Sequence, residues 1–397
     1  MKKLFKKIVV LFLTVSMFLC HLIFPSFINT DTLLTIKAHA ATNNVEGYFT
    51  YTVNENGNAT IIDCDASISG RVTIPSTFNG YPVTNIDSLA FYNCINITSI
   101  SIPDSVTNIE DSTFCSCANL TSIKVASGNQ YYSNDDYGVL FNKSKTELIS
   151  YPIGNIRTSY TIPDSVINIG ESSFEKCDNI TSILIPNSVT NISNYAFQNC
   201  VNLTNITIPD SVIKIGWSAF EGCTSLSDVS IGKGVTQLDF LTFSKCTSLE
   251  SIVIPGTVKV IIDNTFSGCT GLKSLVLCEG VEEIGYWAFS ECPSLTNVIL
   301  PDSIAIIDEH AFAYCTNLNK IVLSSNITNI GARAFYDTAY YNDESNWENG
   351  VLYLENCLLA ANSDIPVSYE IKSGTKIIAD SAFSSCSNLI NVTIPDS

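Results

Sequence analysis

Histidine and basic side chains are scarce in this 397-residue chain. It contains 3 histidines, and its 20 lysines and arginines stand against 38 aspartates and glutamates, for a net charge of −18. With so little histidine, a hydrolase built on a Ser-His or Cys-His pair is disfavoured. With so few basic residues, nucleic acid and anionic membranes are disfavoured as partners, because both bind positively charged surfaces.

The segment 1–40 is predicted to be a signal peptide and is left out of the fold argument. An apolar run covers residues 8–24, and the small residues Ala38 and Ala40 precede a predicted cut before Ala41. That run of about 17 residues also just reaches spanning length, so an uncleaved membrane anchor is the alternative. The basic start of the segment consists of Lys2, Lys3, Lys6 and Lys7.

Removing the predicted signal peptide makes the chain more acidic. The segment holds 5 of the 20 basic residues and 1 of the 38 acidic ones, so 15 basic and 37 acidic residues remain, a net charge of −22. We expect no membrane insertion of the mature chain. A surface this negative keeps an exported protein soluble and would suit a basic partner.

Phenylalanine recurs with a 23-residue period through most of the chain, and nearly every one is followed by a cysteine in the pattern Phe-x-x-Cys. A fixed period of this length indicates one supersecondary unit stacked many times. The phenylalanines are Phe91, Phe114, Phe174, Phe197, Phe220, Phe243, Phe266, Phe289, Phe312, Phe335 and Phe383. The cysteines are Cys94, Cys117, Cys177, Cys200, Cys223, Cys246, Cys269, Cys292, Cys315 and Cys386, and Thr338 is the exception.

The turn that begins at Leu203 shows how one unit is built. Its opening alternates between apolar and polar residues, which predicts a short strand with Ile206 and Ile208 inward. Residues 209–211, Pro-Asp-Ser, then predict a tight turn. Phe220 and Cys223 close the unit as a large and a small side chain that both point inward. Stacked units place like residues on like, so we expect parallel strands and internal columns of Phe and Cys.

The pattern I-x-I-P-x-S-V-x-x-I-x-x-x-A-F-x-x-C-x-x-L runs from about Val72 to the last residue. It resembles the BspA-like leucine-rich-repeat proteins, a group of exported microbial surface proteins. The resemblance implies a mostly β, right-handed leucine-rich-repeat solenoid, in which we expect about eleven turns of parallel strands. The turn around Thr338 departs from the pattern, since Tyr341 also replaces the usual leucine, and we expect it to be distorted.

Residues 41–70 are predicted to form an N-terminal β cap ahead of a solenoid that covers residues 71–397. Apolar stretches flank Asn56-Gly57, which predicts a hairpin that covers the first edge of the core. Two longer steps between phenylalanines place hairpin-like insertions near residues 126–160 and 336–372. They either project from one face to bind a ligand or act as alternative repeats that lengthen the coil. The sequence stops midway through a repeat, so we expect a truncated protein.

The cysteine column is the strongest candidate for chemistry. Its one-per-turn spacing lacks the paired C-x-x-C arrangement of a zinc site, and cysteine packs well as a small buried residue. We therefore expect a structural column of thiols, with disulfides between adjacent turns as the alternative. Cys64, Cys115 and Cys278 are expected to lie outside the column without a catalytic role.

Two other groups of residues are candidates for a catalytic or metal site. His310 is the only histidine left after the signal peptide, and no serine or cysteine stands out as its nucleophile. The recurring Pro-Asp-Ser aspartates could share a calcium ion, but turn formation explains them better. These aspartates are Asp104, Asp164, Asp210 and Asp302. We expect neither a catalytic residue, nor a metal, nor a cofactor.

One outward strand position is apolar in four successive turns, at Val253, Val276, Ile299 and Val322. It predicts a contiguous strip that docks a protein ligand, although β-branched residues also simply suit a sheet surface. The resemblance implies a secreted or cell-surface protein that binds host matrix or other cells without catalysis. The alternatives are a targeting array of a larger exported enzyme and a structural surface-layer component.

Overall fold

The computed structural model describes residues 43–396, so the predicted signal peptide lies outside the described residues. The fold is mostly β, with 2% helix, and forms a parallel-strand solenoid of about 15 turns with a 23-residue periodicity. The predicted solenoid is confirmed, but the expected count of eleven turns was too low. Counting phenylalanines misses turns that carry another residue at that place, such as Tyr151, which stacks on Phe174 at 5.0 Å.

One side of each turn is a strand of the front face, our name for the sheets built from the L-x-x-I-x-I segments. Side chains alternate as predicted, since Ile206 and Ile208 are buried while Asn205 and Thr207 are exposed. Successive strands pair in parallel at equivalent positions of the repeat, for example Ile206 with Val229. The strands are Gly70–Thr73, Ile97–Ile102, Ser122–Val125, Ser159–Thr161, Ser182–Leu184, Asn205–Ile208, Asp228–Ile231, Ser251–Ile254, Ser274–Leu277, Asn297–Ile299, Lys320–Val322, Ser368–Glu370 and Asn391–Thr393.

The opposite side of each turn is the back ladder, our name for a row of two-residue strands. Turns at Pro-Asp-Ser connect these strands to the front face. Eight of them join three strands of the first insertion in one 11-stranded sheet. The eight are Asn168–Ile169, Asn191–Ile192, Lys214–Ile215, Gln237–Leu238, Val260–Ile261, Glu283–Ile284, Ile306–Ile307 and Asn329–Ile330. Two further strands of this kind, Asn108–Ile109 and Ile377–Ile378, pair with the cap and with the second insertion.

The third side of each turn is the corner, the segment that holds Phe-x-x-Cys. Its backbone is left-handed two residues before and two residues after the phenylalanine, as at Ser218 (φ 50°) and Gly222 (φ 71°) around Phe220. Glycine takes this conformation without strain, but other turns place Asn or Lys there. The corner N–H groups donate to the next turn, since Phe220 N–H bonds to the Thr242 carbonyl at 2.8 Å.

The phenylalanines from Phe174 to Phe335 form a continuous stack inside the solenoid. The rings of Phe220 and Phe243 are 5.1 Å apart and 4° from parallel, and those of Phe243 and Phe266 are 5.4 Å apart and 7° from parallel. In the regular turns, the buried cysteine thiol donates to the carbonyl of the phenylalanine in the preceding turn, as Cys223 does to Phe197 at 3.2 Å. Like residues therefore lie on like, which gives the regular turns a thin, continuous core, while the buried residues of the whole coil fall into three clusters.

The N-terminal cap is an antiparallel sheet that runs into the first turns. Phe49–Val53 pairs with Ala59–Cys64 across the predicted Asn-Gly turn, and Asn44–Glu46 adds an outer strand. Ala59–Cys64 then pairs in parallel with Tyr81–Ile86, which in turn pairs antiparallel with the short strand Thr77–Phe78. The cap is thus continuous with the back ladder.

Both insertions are antiparallel three-strand meanders whose last strand joins the coil. In the first, Leu148 pairs in parallel with Ile169, and in the second, Leu358 pairs in parallel with Ile378. Both leucines are fully buried. Of the two interpretations left open by the sequence, the insertions therefore fit alternative repeats that lengthen the coil. Their strands are Tyr132–Asn134, Leu140–Asn142 and Glu147–Ser150, then Trp347–Glu348, Val351–Leu354 and Cys357–Ala361.

The turn at Thr338 is distorted in a defined way. The buried Thr338 hydroxyl donates to the Phe335 carbonyl at 2.9 Å and accepts from the Tyr341 N–H at 3.1 Å. It thereby caps the short α-helix Ala339–Asn342, which a 3₁₀ turn at Glu344–Asn346 follows. A cysteine would be a poor cap at this place because its thiol is a weak hydrogen-bond acceptor.

Candidate protein-binding surface

The four residues of the predicted strip lie in one column on the outside of the front face. Val253 pairs in register with Val276, and Ile299 pairs with Val322. The exposed fractions of the first three are 52%, 47% and 60%. The residues on either side are buried, apart from the half-buried Leu275, because consecutive side chains of a strand point to opposite faces.

The adjacent outward column on the same strands is polar. It consists of Ser251, Ser274, Asn297 and Lys320, which are all exposed. If β propensity alone selected the apolar column, the neighbouring column would be expected to favour β-branched residues as well. The structure therefore presents an apolar row with a polar column along one side.

The strip differs from its sequence prediction at both ends. Val322 is half-buried and thus less exposed than the other three residues, because the turn at Glu355 in the second insertion lies beside its strand. The Glu355 carboxylate accepts a hydrogen bond from the Leu323 N–H at 3.4 Å. At the other end, Leu184 occupies the same column and is 59% exposed. Thr207 and Ser230 separate it from Val253. The 23-residue spacing alone would have predicted that Leu184 belongs to this column.

A second group of surface residues, the corner aromatic cluster, was missed in the sequence. Trp287 stacks on His310 at 4.4 Å and on Tyr314 at 5.9 Å. Edge contacts then run from Tyr314 to Tyr336 at 5.7 Å and from Tyr336 to Tyr341 at 5.2 Å. These residues sit at several different positions of the repeat, so no single column of the sequence reveals them.

His310 is part of this cluster and is not placed as a catalytic base. Its side chain is buried against the indole of Trp287, and Nδ1 lies 3.2 Å from Glu309 Oε1. Burial lowers the pKa of His310, which favours the neutral ring. The geometry indicates a packing role.

The cysteines of the described residues are all free thiols. Burial raises the pKa of Cys223 and of Cys269 to about 12, which suppresses the reactive thiolate. Cys64, which the sequence placed outside the column, is buried, and its carbonyl accepts from the Cys94 thiol at 3.9 Å. Cys115 lies outside the column, where its thiol donates to Glu175 Oε2 at 2.8 Å.

Two of the Pro-Asp-Ser aspartates bond to the backbone or a side chain of the following turn. Asp210 Oδ1 accepts from Lys233 N–H at 2.7 Å, and Asp302 Oδ1 accepts from the Ser325 hydroxyl at 2.9 Å. Within residues 43–396, no group of three or more His, Cys, Asp or Glu side chains is arranged to hold a metal ion. The same residues contain no helix long and apolar enough to span a membrane.

Three carboxylates on the back ladder make stability depend on pH. Burial raises the pKa of Glu283, and the nearby carboxylates of Asp308 and Asp263 raise it further. A carboxyl with a raised pKa in the folded state costs stability above that pKa, and the cost disappears as the pH falls below its ordinary value near 4.5.

Glu283→Gln is therefore expected to raise the free energy of unfolding at pH 7.5 by less than about 1 kcal/mol, since the group is half-exposed. The gain should vanish at pH 4. Thermal melts at both pH values measure it, with Glu282→Gln as the control, because Glu282 is exposed and pairs with Lys259 at 3.0 Å. A gain that is equal at both pH values would contradict the account.

Short parallel strands from 23-residue turns, stacked around columns of like side chains, define a leucine-rich-repeat solenoid. A model of the BspA type leucine rich repeat region matches this chain in 6 copies, over residues 65–156, 153–261, 236–365 and 361–397. The protein belongs to the BspA-type leucine-rich-repeat family, as the motif predicted.

Solved bacterial structures share the fold. A leucine-rich repeat protein from Eubacterium ventriosum is 23% identical, with a TM-score of 0.55 over 78% of this chain and 97% of that one. The pneumococcal vaccine antigen PcpA is 22% identical, with a TM-score of 0.50 over 89% of this chain and 87% of that one. At these identities the likeness shows the fold alone. No curated protein matches the sequence.

Proposed function

We propose that this chain is a secreted or cell-surface protein that binds a protein ligand through the strip on its front face, in adhesion to host matrix or to other cells. The family is one of bacterial surface proteins, which supports an extracellular site of action. Export depends on the signal peptide predicted at residues 1–40. The protein acts by binding and performs no catalysis of its own.

The observation that carries this proposal is the exposed apolar column beside a polar one. Val253, Val276 and Ile299 each leave roughly half of their side chain in contact with water, at 52%, 47% and 60% exposure. Covering such side chains with a partner is favourable by roughly 25 cal/mol for each Å² of apolar surface removed from water. The excess of 37 acidic over 15 basic residues outside the signal peptide favours a basic ligand.

The test is a double substitution, Val276→Glu with Ile299→Glu. Its matched control is Thr207→Glu with Ser230→Glu, which adds the same charges in the same column of the same face where the side chains are already polar. Both variants should fold, because all four positions point outward. Binding to immobilised collagen, fibronectin, fibrinogen and laminin is then measured by surface plasmon resonance.

We expect the strip variant to lose at least tenfold in affinity for a ligand that the wild type binds, while the control changes little. Equal binding by the strip variant and the control would show that the strip is not the site. Absence of binding by the wild type to these proteins and to microbial cells would contradict adhesion and favour a structural surface-layer role.

A further inference from the structure

Each insertion interrupts the corner edge of the solenoid, because its own turn lacks the Phe-x-x-Cys segment. In a regular turn, the phenylalanine N–H donates to the carbonyl of the residue that precedes the next phenylalanine. Tyr151 in the first insertion makes this bond to Ser173 at 2.8 Å, and Ala361 in the second makes it to Ala382 at 2.7 Å. Tyr151 and Ala361 therefore occupy the phenylalanine position of their turns.

At the first break, the chain fills the gap by itself. The Tyr151 ring is 1% exposed and continues the stack on Phe174 at 5.0 Å. The two flanking corners also bond to each other, through Cys115 with Glu175 at 2.8 Å. The cavity that remains there has a volume of only about 20 Å³.

At the second break, the Asp380 N–H bonds to the Ile330 carbonyl at 2.9 Å across the insertion, but the gap at the corner stays open. Ala361 has only a methyl group where Tyr151 has a ring, and the places of Cys115 and Glu175 are taken by Tyr336 and Ser384. A cavity of about 210 Å³ results, which we call the corner notch. For comparison, a dry cavity of about 150 Å³ in an engineered protein is large enough to bind benzene.

Buried apolar side chains form part of the corner notch, while polar groups make up most of its accessible lining. Phe335, Leu359, Ala361 and Ala382 are buried residues that line it. The mouth carries Arg333, Asp380 and the hydroxyls of three serines, Ser381, Ser384 and Ser385. The notch adjoins the corner aromatic cluster, since Tyr336 and Tyr341 belong to both.

One carboxylate and one guanidinium, those of Asp380 and Arg333, line the mouth. A second carboxylate is nearby, since Asp380 is close enough to raise the pKa of Asp308, although burial is the larger cause of that shift. Glu309 follows Asp308 in the chain and lies against His310. The guanidinium of Arg333 is placed over the ring of Tyr336, with 5.6 Å between its central carbon and the ring centroid. A ligand that carries a positive charge next to its ring would complement this mouth.

We propose that the corner notch binds an aromatic side chain that stands beside a basic residue in a protein ligand, seated where Tyr151 sits in the first break. The ring enters the vacant place of the phenylalanine column next to Phe335, and the basic group lies toward Asp380. That the ring comes from a protein ligand rests on the proposed protein-binding function. That the notch binds an aromatic ring does not. The notch is separate from the front-face strip.

The test uses phenethylamine as the probe, which combines one ring with one positive charge. Binding to the full chain is followed by protein-observed NMR titration, with 3-phenylpropionate as the probe of opposite charge and methyl glucoside as a sugar. We expect saturable binding of phenethylamine, at least fivefold weaker binding of 3-phenylpropionate and no binding of the glucoside. Preference for the glucoside, or no saturable binding of phenethylamine, would overturn the proposal.

Two variants locate the probe. Ala361→Phe should fill the notch, raise the melting temperature and weaken phenethylamine binding at least tenfold. If that variant does not fold, Asp380→Asn serves instead and should weaken phenethylamine binding while it leaves the affinity for neutral 3-phenylpropanol unchanged. Undiminished phenethylamine binding by a folded Ala361→Phe, or by Asp380→Asn, would overturn the assignment.

The reciprocal variant is Tyr151→Ala, which should open a second notch at the first break and add a second phenethylamine site. These measurements use no protein ligand and leave the strip unchanged. Failure of the notch and failure of the strip are therefore separate results.

Discussion

Phe243→Ala is expected to lower the free energy of unfolding by about 4 kcal/mol, within the range of large-to-small changes in protein cores. Phe243 is fully buried and lies between the rings of Phe220 at 5.1 Å and Phe266 at 5.4 Å. Backbone hydrogen bonds between successive corners, such as Phe243 N–H to Thr265, hold the turns apart, so the neighbours cannot collapse into the space. Urea denaturation followed by circular dichroism measures the loss.

Phe240→Ala provides the matched control for that experiment. Phe240 lies just before it in the same turn and is 40% exposed, so its removal should cost less than about 1 kcal/mol. Because each turn contacts only its neighbours, the damage in Phe243→Ala should be greatest near its own turn in hydrogen exchange. Similar losses in the two variants would contradict the continuous phenylalanine column.

Asn129→Leu is expected to cost about 4 kcal/mol, because a leucine of similar size removes four hydrogen bonds to backbone groups and buries their former partners. Asn129 is fully buried, and its Nδ2 donates to the carbonyls of Pro103 and Val106, both at 2.9 Å. Its Oδ1 accepts from Tyr131 N–H at 2.8 Å and Tyr132 N–H at 2.9 Å. This side chain attaches the start of the first insertion to the preceding turn.

The control for this residue is Asn119→Leu. Asn119 is exposed, and its amide makes one hydrogen bond, to the Ile95 carbonyl at 2.8 Å. The same denaturation experiment should show a loss of less than about 1 kcal/mol for that variant. If Asn129→Leu were no less stable than Asn119→Leu, the insertion would not depend on its buried amide.

The regular part of the solenoid could be predicted because one spacing determines it. A strict 23-residue step stacks Phe on Phe and Ile on Ile, independent of the loop conformations. The paired strands keep that step, as the pairing of Ile206 with Val229 shows. The same 23-residue spacing predicted that the four strip residues lie in one column of the front face. The same spacing also places Leu184 in this column, on the far side of the polar residues Thr207 and Ser230.

The sequence located the insertions but could not give the pairing of their strands, because these strands depart from the 23-residue step. Leu148 pairs with Ile169 and Leu358 pairs with Ile378, and both separations are shorter than one full repeat. The half-burial of Val322 depends on the turn that carries Glu355, whose carboxylate reaches the Leu323 N–H from the second insertion. The corner notch depends on the difference between Tyr151 and Ala361, whose equivalence only the backbone hydrogen bonds reveal.

The most direct test of the central claim is hydrogen exchange of the full chain with and without a matrix protein for which the plasmon-resonance measurement detects binding. The account predicts slower exchange on binding in the front-face strands Ser251–Ile254, Ser274–Leu277 and Asn297–Ile299, with little change in the equivalent strand Asp228–Ile231. Protection confined to the back ladder, or spread evenly over the front face, would contradict the claim that the exposed apolar strip is the binding site.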